Sequence, residues 1–532
     1  MALSIDQLPE DVASLRALIL AMRADAEELT KDKHVLTAEV ARLTAQNERL
    51  DHILAVLRRA QFGAKSERIS DDQMNLALED VETELGAEDA KAEARNAIIK
   101  REGAANRHAN RGHLPAHLPR EEIVIEPEGT CCPNCNGALH VIGEDISERL
   151  DKIPARLRVI VMRRPKYACR ACTDGVIQAP ALARLIEGGL PTEAMVADVL
   201  VSKYADHLPL YRQSQILARE GVKIDRSTLA HWVGFAATEL EPLHAHLVKL
   251  LKTSTKLFAD ETRCPVLDPG RGRTKTGYLW ALARDDRPWG GTDPPAAAYM
   301  YAPGRGGDHA SRLLAGFSGV LQVDGYTGYD GLTVSKRVGG PLLLAFCWAH
   351  VRRRFYDIAK AGDAPMASQA LERIGKFYET EAEIRGTSAA ARRQVRQITT
   401  KPLIDAMKLW LDAQLARVSK GSAIADAIRY AVNHWQGLCR FLDDGRIEID
   451  SNTVERSIRP LALNRKNTLF VGSDGGGANW AIIASLVETA KLNDVNPQAW
   501  LADTLTKLVN RWPMAKVDEL MPWAFAKIPV KV

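Results

Sequence analysis

The chain has 532 residues, which is too long for one hydrophobic core, so we expect about three or four domains. Its 46% hydrophobic and 26% charged residues are typical of a globular protein, and its formal net charge of +4 is mild. The polar start MALSIDQLPEDV lacks a signal-peptide h-region, and no apolar run is long enough to span a bilayer. We therefore expect a cytoplasmic chain without a membrane partner, whose eight cysteines are buried thiols or metal ligands rather than disulfides.

Residues 1–70 are dominated by a heptad repeat of large apolar side chains. One column recurs at every seventh position and comprises Leu15, Met22, Leu29, Leu36, Leu43, Leu50 and Leu57. This narrow stripe predicts a coiled coil, rather than one long amphipathic helix docked on its own domain. Asn47 falls in the second, mixed column, where asparagine favours two strands. We therefore expect a homodimer or higher oligomer joined through this zipper.

Residues 71–125 show no such repeat. The chain is acidic from Asp71 to about Glu93 and becomes basic and irregular from Lys100 to Arg120. Gly, Pro and Asn interrupt any helical period, so we predict a linker with a basic arm. An arm that contacts nucleic acid and a merely solvated linker both fit this pattern.

Residues 126–180 carry two CxxC pairs. The four cysteines are Cys132, Cys135, Cys169 and Cys172. Paired CxxC motifs place four thiolates around a tetrahedral ion, so we predict a zinc ribbon with a structural Zn²⁺. Cys131 competes with Cys132 as the first ligand, and the alternatives to zinc are buried cysteines or a redox pair. Basic residues beside the strand-like run 157–162 suggest contact with DNA.

Residues 181–252 read as three helices with a short turn, a pattern that resembles a helix-turn-helix domain but is shared by many three-helix units. In residues 253–359 we predict a strand ending in Asp260, a hairpin, a third strand, a helix, a fourth strand ending in Asp324, and a fifth strand entering a basic helix. This order describes a ribonuclease-H-like mixed sheet. Its first strand lies beside its fourth, so Asp260 and Asp324 should meet.

The remaining chain completes a multidomain α+β architecture. Residues 360–446 read as a helical insertion, residues 447–495 as the second part of the core, and residues 496–532 as a C-terminal helical extension. Within the second part, Glu455 lies in the first turn of a helix and is followed by four basic residues: Arg456, Arg459, Arg465 and Lys466. Two structural explanations stay open here, namely a capping box from Asn452 to Glu455 and an ion pair between Glu455 and Arg459.

Asp260, Asp324 and Glu455 are the candidate catalytic residues. Converging carboxylates repel unless cations neutralise them, and their hard oxygen atoms suit Mg²⁺ or Mn²⁺. Two such ions activate an attacking hydroxyl and stabilise the leaving oxygen at a phosphodiester. Taken singly, each acid has an ordinary structural explanation, such as a strand-to-turn ending for Asp324. Together they predict a site for two divalent ions.

At this point the chain resembles the IS66 family of bacterial insertion-sequence transposases, which are Asp-Asp-Glu (DDE) enzymes. The resemblance covers nearly the whole chain. It rests on collinear stretches: FGAKSER, CPNC with CRAC, SKYADHLPLYRQSQILAREG, FADET, VLQVDGYTGYD, CWAHVRRRF, NTVERSIRPLALNRKN and NPQAWLADTLTKL.

The resemblance implies end cleavage at an insertion sequence, followed by strand transfer into target DNA. It assigns the metal-binding acids to Asp260 in FADET, Asp324 in VDGY and Glu455 in NTVER. It implies contacts with DNA, or shaping of the site, for Asn452, Arg456, Arg459, Arg465 and Lys466, and we add a basic helix bearing His350, Arg352, Arg353 and Arg354. Small accessory proteins of the same element are further implied partners, and the chain would associate with the nucleoid when bound to DNA.

Two other readings compete with the transposase. One is a non-catalytic DNA-binding regulator, and the other is a non-transposing nuclease that uses the same metals. Trp348, beside the basic helix, is expected to pack in the core rather than stack on a base.

Overall fold

The computed structural model describes residues 71–525, apart from 111, 115, 117, 128, 130, 154–155, 171–174 and 269–271, together with scattered positions between 11 and 44. The chain divides into two units. One comprises residues 1–70 with 268–273, and the other comprises the remaining residues.

The described heptad positions lie in helix and are exposed. Residues described between 12 and 44 are helical, and the side chains of Met22, Leu29 and Leu36 are 58%, 69% and 64% exposed. Exposed apolar residues at heptad positions are what a coiled-coil seam presents before a partner covers it. The coiled coil itself stays a prediction. The other predicted positions, Leu15, Leu43, Leu50, Leu57 and Asn47, lie outside the described residues.

The segment predicted as a linker is largely helical, so that prediction is wrong for residues 71–110. Helix α1 spans Asp71–Arg95 and helix α2 spans Ala97–Asn110. Gly86 and Gly103, which interrupt the apolar period, lie within these helices. The physical reason is tertiary: α1 packs against helices further along the chain, and such packing outweighs a weak local propensity.

Four strands form the first sheet: β1 (Arg120–Val124), β2 (Leu139–Ile153), β3 (Arg156–Cys169) and β4 (Val176–Gln178). Strand β3 pairs with β1 in parallel and with β2 and β4 antiparallel. The basic residues of β3 have acidic partners, because Arg163 bonds Glu122 and Glu144 and Lys166 lies 3.0 Å from an oxygen of Asp145. These pairs neutralise much of the charge that suggested contact with DNA.

The three helices predicted next are present as α3 (Glu193–Tyr204), α4 (Leu210–Arg219) and α5 (Arg226–Lys252). Helix α5 packs along α1 with close backbone contact. A Cβ on Gly234 would lie 2.1 Å from the main-chain oxygen of Thr83, so only glycine fits at this crossing.

Glu79 joins α1 to the start of α4. Its carboxylate is fully buried and accepts hydrogen bonds from the main-chain amides of Leu210, at 3.1 Å, and Tyr211, at 2.7 Å. The ammonium of Lys203 lies 3.4 Å away. Free amides at a helix N-terminus favour a negative partner, so Glu79 caps α4 from a helix far away in the sequence.

The second sheet contains five strands in the spatial order β7-β6-β5-β8-β9. They are β5 (Lys256–Val266), β6 (Lys275–Arg284), β7 (Ala296–Ala302), β8 (Val320–Val323) and β9 (Leu343–Phe346), with helix α6 (Gly307–Leu313) between β7 and β8. The first strand of this sheet therefore lies beside its fourth, as predicted. The predicted end of the first strand at Asp260 is wrong, because residues 261–266 continue the ladder with β6.

The segment after β9 is helical, as predicted. Its helices are α7 (Trp348–Ala361), α8 (Pro365–Ile384), α9 (Ala389–Val395), α10 (Lys401–Leu415), α11 (Ala423–Asn433) and α12 (Trp435–Asp443). Arg392 and Arg396 are buried within this insertion and bond the carboxylate of Glu381, and Arg392 also bonds Glu448 at 2.7 Å. The main chain of Glu448 exchanges two 2.9 Å hydrogen bonds with the side chain of Gln322 on β8. This buried network ties the insertion to the sheet.

Three α-helices follow in the described chain: α13 (Asn452–Thr468), α14 (Asp474–Leu492) and α15 (Pro497–Val509). Two short 3-10 helices, Met514–Leu520 and Pro522–Ala524, come after them. After α13, which extends to Thr468, the described chain forms one isolated bridge to β5, between Val471 and Val266. Helix α14 packs on β7, where Ser485 and Thr489 bond its backbone. Within the described part of the chain, no helix combines the length and apolar character needed to cross a membrane.

Candidate active site

Asp260 lies within β5, and Asp324 follows directly after the last residue of the neighbouring strand β8. Strands β5 and β8 are parallel, with Phe258 opposite Gln322, and each acid comes two residues after its member of this pair. Main-chain amides orient both carboxylates. Glu261 N donates to Asp260 Oδ1 at 2.8 Å, and Tyr326 N donates to Asp324 Oδ1 at 2.8 Å. The two acids therefore face the same edge of the sheet.

The carboxyl of Asp260 has a strongly raised pKa. Burial is the largest cause that raises its pKa, to about 8, and the negative charges of Asp324, Glu261 and Glu455 act in the same direction. Residues from two strands and a helix thus share one electrostatic neighbourhood. Such a cluster is costly to ionise unless a cation shares it, and its oxygen donors suit a hard divalent ion.

Glu261 also belongs to this neighbourhood, although it was not among the predicted site residues. Its side chain is fully buried, and it accepts hydrogen bonds from Arg305 Nε at 2.6 Å and from the hydroxyl of Tyr329 at 2.9 Å. Burial raises the pKa of Glu261, although both partners oppose the shift. No local signal identifies this role, because the two partners lie 44 and 68 residues away in the chain.

Glu455 lies in the first turn of α13, but neither structural explanation offered for it applies. The N-cap is Ser451 rather than Asn452, and the Ser451 hydroxyl donates to Glu455 Oε1 at 3.0 Å. The Asn452 amide instead donates to Asp450 at 2.6 Å. In the described part of the chain, the nitrogen-bearing side chain within 4 Å of the Glu455 carboxylate is His350, with Nδ1 3.7 Å from Oε1, and not Arg459.

Cys347 and His350 come from the start of α7 and lie beside Glu455. Burial raises the pKa of the Cys347 thiol to about 12, and its sulfur accepts a hydrogen bond from the Ser451 amide at 3.2 Å. One ligand atom each from Cys347, His350 and Glu455 lie within 4.8 Å of one another. The third acid therefore has sulfur and nitrogen neighbours.

Helix α13 is fixed to the sheet by hydrogen bonds. The hydroxyl of Tyr299 donates to the main-chain oxygen of Ser457 at 2.6 Å. Near the other end of the helix, Arg465 donates to the Thr262 hydroxyl at 3.1 Å and to the Arg263 carbonyl at 2.6 Å. Part of the Arg465 guanidinium is thus used to hold α13 against β5.

The helical insertion contributes a residue to the neighbourhood of Asp324. The hydroxyl of Tyr430, on α11, donates to the main-chain oxygen of Asp324, and the guanidinium of Arg354 lies 3.9 Å above the Tyr430 ring. Gly325 has a φ of +97°, and a Cβ there would lie 2.9 Å from the Tyr430 hydroxyl. The turn after β8 therefore needs glycine, both for its backbone angle and for this contact.

Most of the other predicted contact residues are exposed. The six exposed members are Arg352, Arg353, Arg354, Arg456, Arg459 and Lys466. A cavity of about 550 Å³ is lined by residues that include Arg352, Arg353, Tyr378 and Asn452.

Trp348 is fully buried, and its indole donates to the Leu438 carbonyl at 3.0 Å, which confirms the prediction that it packs in the core.

A second cavity, of about 380 Å³, lies on the Glu261 side of β5. Its lining includes Glu261, Arg263, Tyr278, Arg305 and Arg465. Three guanidinium groups against one paired carboxylate make this cavity predominantly basic. Both cavities therefore present positive groups close to the acidic residues, an arrangement suited to a polyanion that must approach carboxylates.

Three of the four predicted zinc ligands form a cluster at one end of the first sheet. The sulfur atoms of Cys132, Cys135 and Cys169 lie within 4.8 Å of one another, while Cys172 lies outside the described residues. Cys131 is exposed and forms a backbone bridge with Ala138, so Cys132 is the better first ligand. Clustered thiols without a disulfide fit a structural Zn²⁺.

The fold and its sites define a multidomain α+β protein, with a carboxylate cluster on a mixed sheet and a separate cysteine cluster. The sequence profile described as "Transposase IS66 family" matches residues 188–479. Profiles described as "zinc-finger binding domain of transposase IS66" and "IS66 C-terminal element" match residues 130–173 and 485–523. A profile described as "Transposase C of IS166 homeodomain", a leucine-zipper type, matches residues 49–123.

Whole-chain relatives agree with these profiles. The protein named "Uncharacterized protein y4qI" of Sinorhizobium fredii (strain NBRC 101917 / NGR234) is 47% identical over 541 residues, covering 99% of each chain. "Uncharacterized protein y4jD" of the same strain is 44% identical over 531 residues and 98% of each chain. The chain belongs to the IS66 family of transposases, and the predicted family is confirmed. Membership supports a DDE enzyme that binds DNA, a structural zinc and a divalent catalytic metal.

Proposed function

We propose that this chain cleaves DNA at the ends of an insertion sequence and joins the freed ends to target DNA, at divalent cations held by Asp260, Asp324 and Glu455. The observation that carries the proposal is the shared neighbourhood of the three acids. Asp260 on β5 and Asp324 directly after the parallel strand β8 each follow the pair Phe258 and Gln322 by two residues, and the charge of Glu455 contributes to the raised pKa of Asp260. Membership in a transposase family supports the same reaction.

The donor atoms of this site fit Mg²⁺ or Mn²⁺, because all three acids offer hard carboxylate oxygens. Two such ions, when bound, supply Lewis-acid stabilisation of the attacking and leaving oxygens at a phosphodiester. The chain's own residues orient the acids. The Glu261 amide holds Asp260, the Tyr326 amide holds Asp324, and the Ser451 hydroxyl holds Glu455.

The basic residues around the site would position DNA. Arg352, Arg353, Arg456, Arg459 and Lys466 are exposed, so their charges are available to phosphate oxygens. Arg465 and Asn452 already have protein partners and would shape the site as much as contact the DNA. The helices α3 to α5 are a further candidate for contact with DNA.

The strand order supports the ribonuclease-H-like class for the catalytic core. A meander of three antiparallel strands, followed by two parallel strands beside the first, is the order predicted for that fold. The zipper would bring two chains together, so that two element ends are processed in one assembly. Small proteins encoded by the same element remain proposed partners.

The first test compares Asp324→Asn with Asp330→Asn, which changes an exposed aspartate in the turn after β8. Both variants are assayed for cleavage of DNA that carries the terminal sequences of the element, with Mg²⁺ present. We expect Asp324→Asn to lose activity by about a thousandfold or more, because a ligand to the catalytic metals is removed, and Asp330→Asn to retain it. Equal activity of Asp324→Asn and the unchanged chain would reject the metal mechanism.

The second test supplies pre-cut ends together with a second DNA. Joining of the two DNAs is expected of a transposase. Hydrolysis without joining identifies a nuclease, while binding of the ends with neither reaction identifies a regulator. Since pre-cut ends bypass the first step, this test separates strand transfer from end cleavage.

A further inference from the structure

A second kind of metal site surrounds Glu455. Cys347 is the N-cap of α7, and His350 follows in its first turn, so both face the start of α13. One ligand atom each from Cys347, His350 and Glu455 lie within 4.8 Å of one another. A thiol, an imidazole and a carboxylate are the donors that zinc takes in proteins, whereas Mg²⁺ takes oxygen donors.

The imidazole of His350 has an unused donor atom in this cluster. Its Nδ1 is buried and has no hydrogen-bond partner. Its separation of 3.7 Å from Glu455 Oε1 is too long for a hydrogen bond. Two donor atoms bound to the same tetrahedral ion would be roughly 3.4 Å apart, since each lies about 2.0–2.2 Å from the ion. The observed gap is therefore close to the spacing of two ligands on one metal.

Neighbouring residues hold two of the three donors in place. The Ser451 amide donates to the Cys347 sulfur at 3.2 Å, and the Ser451 hydroxyl donates to the Glu455 carboxylate at 3.0 Å. Such outer contacts orient metal ligands and contribute to affinity. Ser451 is itself buried, so its position is set by the fold rather than by solvent.

We propose that Cys347, His350 and Glu455 bind a zinc-like divalent cation and that its binding inhibits the catalytic site. The inhibition rests on the proposed function, because Glu455 serves both sites. A cation held by sulfur and nitrogen on the α7 side takes a Glu455 oxygen away from the ions shared with Asp260 and Asp324. Zinc and magnesium thus compete for one carboxylate, and the ratio of the two ions sets the activity.

The binding test uses the full chain with its cysteine cluster already filled with zinc, and it titrates Co²⁺ without DNA. Cys347→Ser is compared with Cys439→Ser, a half-buried cysteine outside both clusters. We expect thiolate-to-cobalt absorption to develop in the unchanged chain and in Cys439→Ser, and the additional site to be missing in Cys347→Ser. His350→Gln should weaken binding by about tenfold or more and serves as the second variant, because it leaves the buried thiol intact. Equal cobalt binding by all four chains would overturn the site.

The activity test measures, for each chain, the Zn²⁺ concentration that halves its own Mg²⁺-dependent cleavage. We expect this concentration to rise by about tenfold or more in Cys347→Ser and His350→Gln, and to stay unchanged in Cys439→Ser. If cobalt binding is lost in Cys347→Ser while zinc sensitivity is unaltered, the inhibitory role is overturned. Because the cobalt titration needs no catalysis, a chain that fails to cleave DNA rejects the proposed function without deciding the metal site.

Discussion

The buried carboxyl of Asp260 should make the chain less stable as the pH rises, as long as no divalent metal fills the site. Its pKa is raised from 3.8 to about 8 in the folded chain. Between these values the folded state holds a proton that the unfolded state releases, so the free energy of unfolding falls with increasing pH. This loss of stability is absent below pH about 4 and complete above pH about 8. The substitution Asp260→Asn should remove it.

The size of this effect follows from the pKa difference. A shift of about four units corresponds to a ceiling of about 6 kcal/mol, at 1.36 kcal/mol per unit. The residue as a whole is of intermediate exposure although its carboxyl is crowded by protein atoms, so solvent screening reduces the expected value to about 2–3 kcal/mol. The stability of Asp260→Asn relative to the unchanged chain should therefore increase by this amount between pH 4 and pH 8.

The assay is urea unfolding followed by tryptophan fluorescence, in buffer without added Mg²⁺. Other groups titrate over the same range, so the informative quantity is the difference between two chains at each pH. Asp330→Asn provides the control, because Asp330 is exposed. The difference in the free energy of unfolding between this variant and the unchanged chain should not vary with pH. A flat difference for Asp260→Asn as well would refute the reasoning that a buried, crowded carboxyl is present at this position.

Three further predictions concern other parts of the fold. Gly234→Ala should lower the free energy of unfolding by about 1–3 kcal/mol, because its Cβ would meet the α1 backbone, and urea unfolding measures this. Cys135→Ser should lose about one equivalent of zinc per chain and expose the first sheet to protease, as metal analysis and limited proteolysis would show. Gln322→Leu should cost about 2–4 kcal/mol and reduce cleavage more than DNA binding, since both of its hydrogen bonds to Glu448 are buried.

Matched variants make two of these predictions specific. Gly375 is also helical, but a Cβ there meets nothing within 4 Å, so Gly375→Ala should be neutral or slightly stabilising. Cys131 is exposed and outside the cysteine cluster, so Cys131→Ser should keep its zinc. Zinc loss in Cys131→Ser would contradict the choice of Cys132 over Cys131 as the first ligand, and zinc retention in Cys135→Ser would contradict the role of Cys135 as a ligand. Equal free energies of unfolding for the two glycine variants would contradict the close helix crossing.

The parts of the structure that were predictable are those with a local or periodic signal. Apolar runs bounded by turn residues located the five strands, and the predicted strand order correctly placed the first strand beside the fourth. The cysteine spacing predicted the cluster of Cys132, Cys135 and Cys169. A strand or a cysteine pair is encoded within one segment, so it can be predicted from the sequence alone.

The missed features depend on contacts between distant segments. In the sequence, helix α1 resembles an acidic stretch interrupted by Gly86. The glycine is explained only by the fold, because the backbone of α5 lies against it and leaves no room for a Cβ. The burial of Glu261 requires Arg305 and Tyr329, which no spacing connects with it. Strand β5 continues past Asp260 because β6 supplies partners there, and polar residues in that run suggested an end.

The order in which the chain supplies its three acids has a consequence during synthesis. Asp260 and Asp324 emerge first, but Glu455 follows only after the helices that bury Arg392 against Glu448. Helix α14, which backs β7, emerges later still. Under the proposed assignment, a nascent or prematurely ended chain can carry the zinc-binding cysteine cluster and the basic surfaces but cannot cleave DNA. The cell is thereby spared strand breaks from unfinished copies.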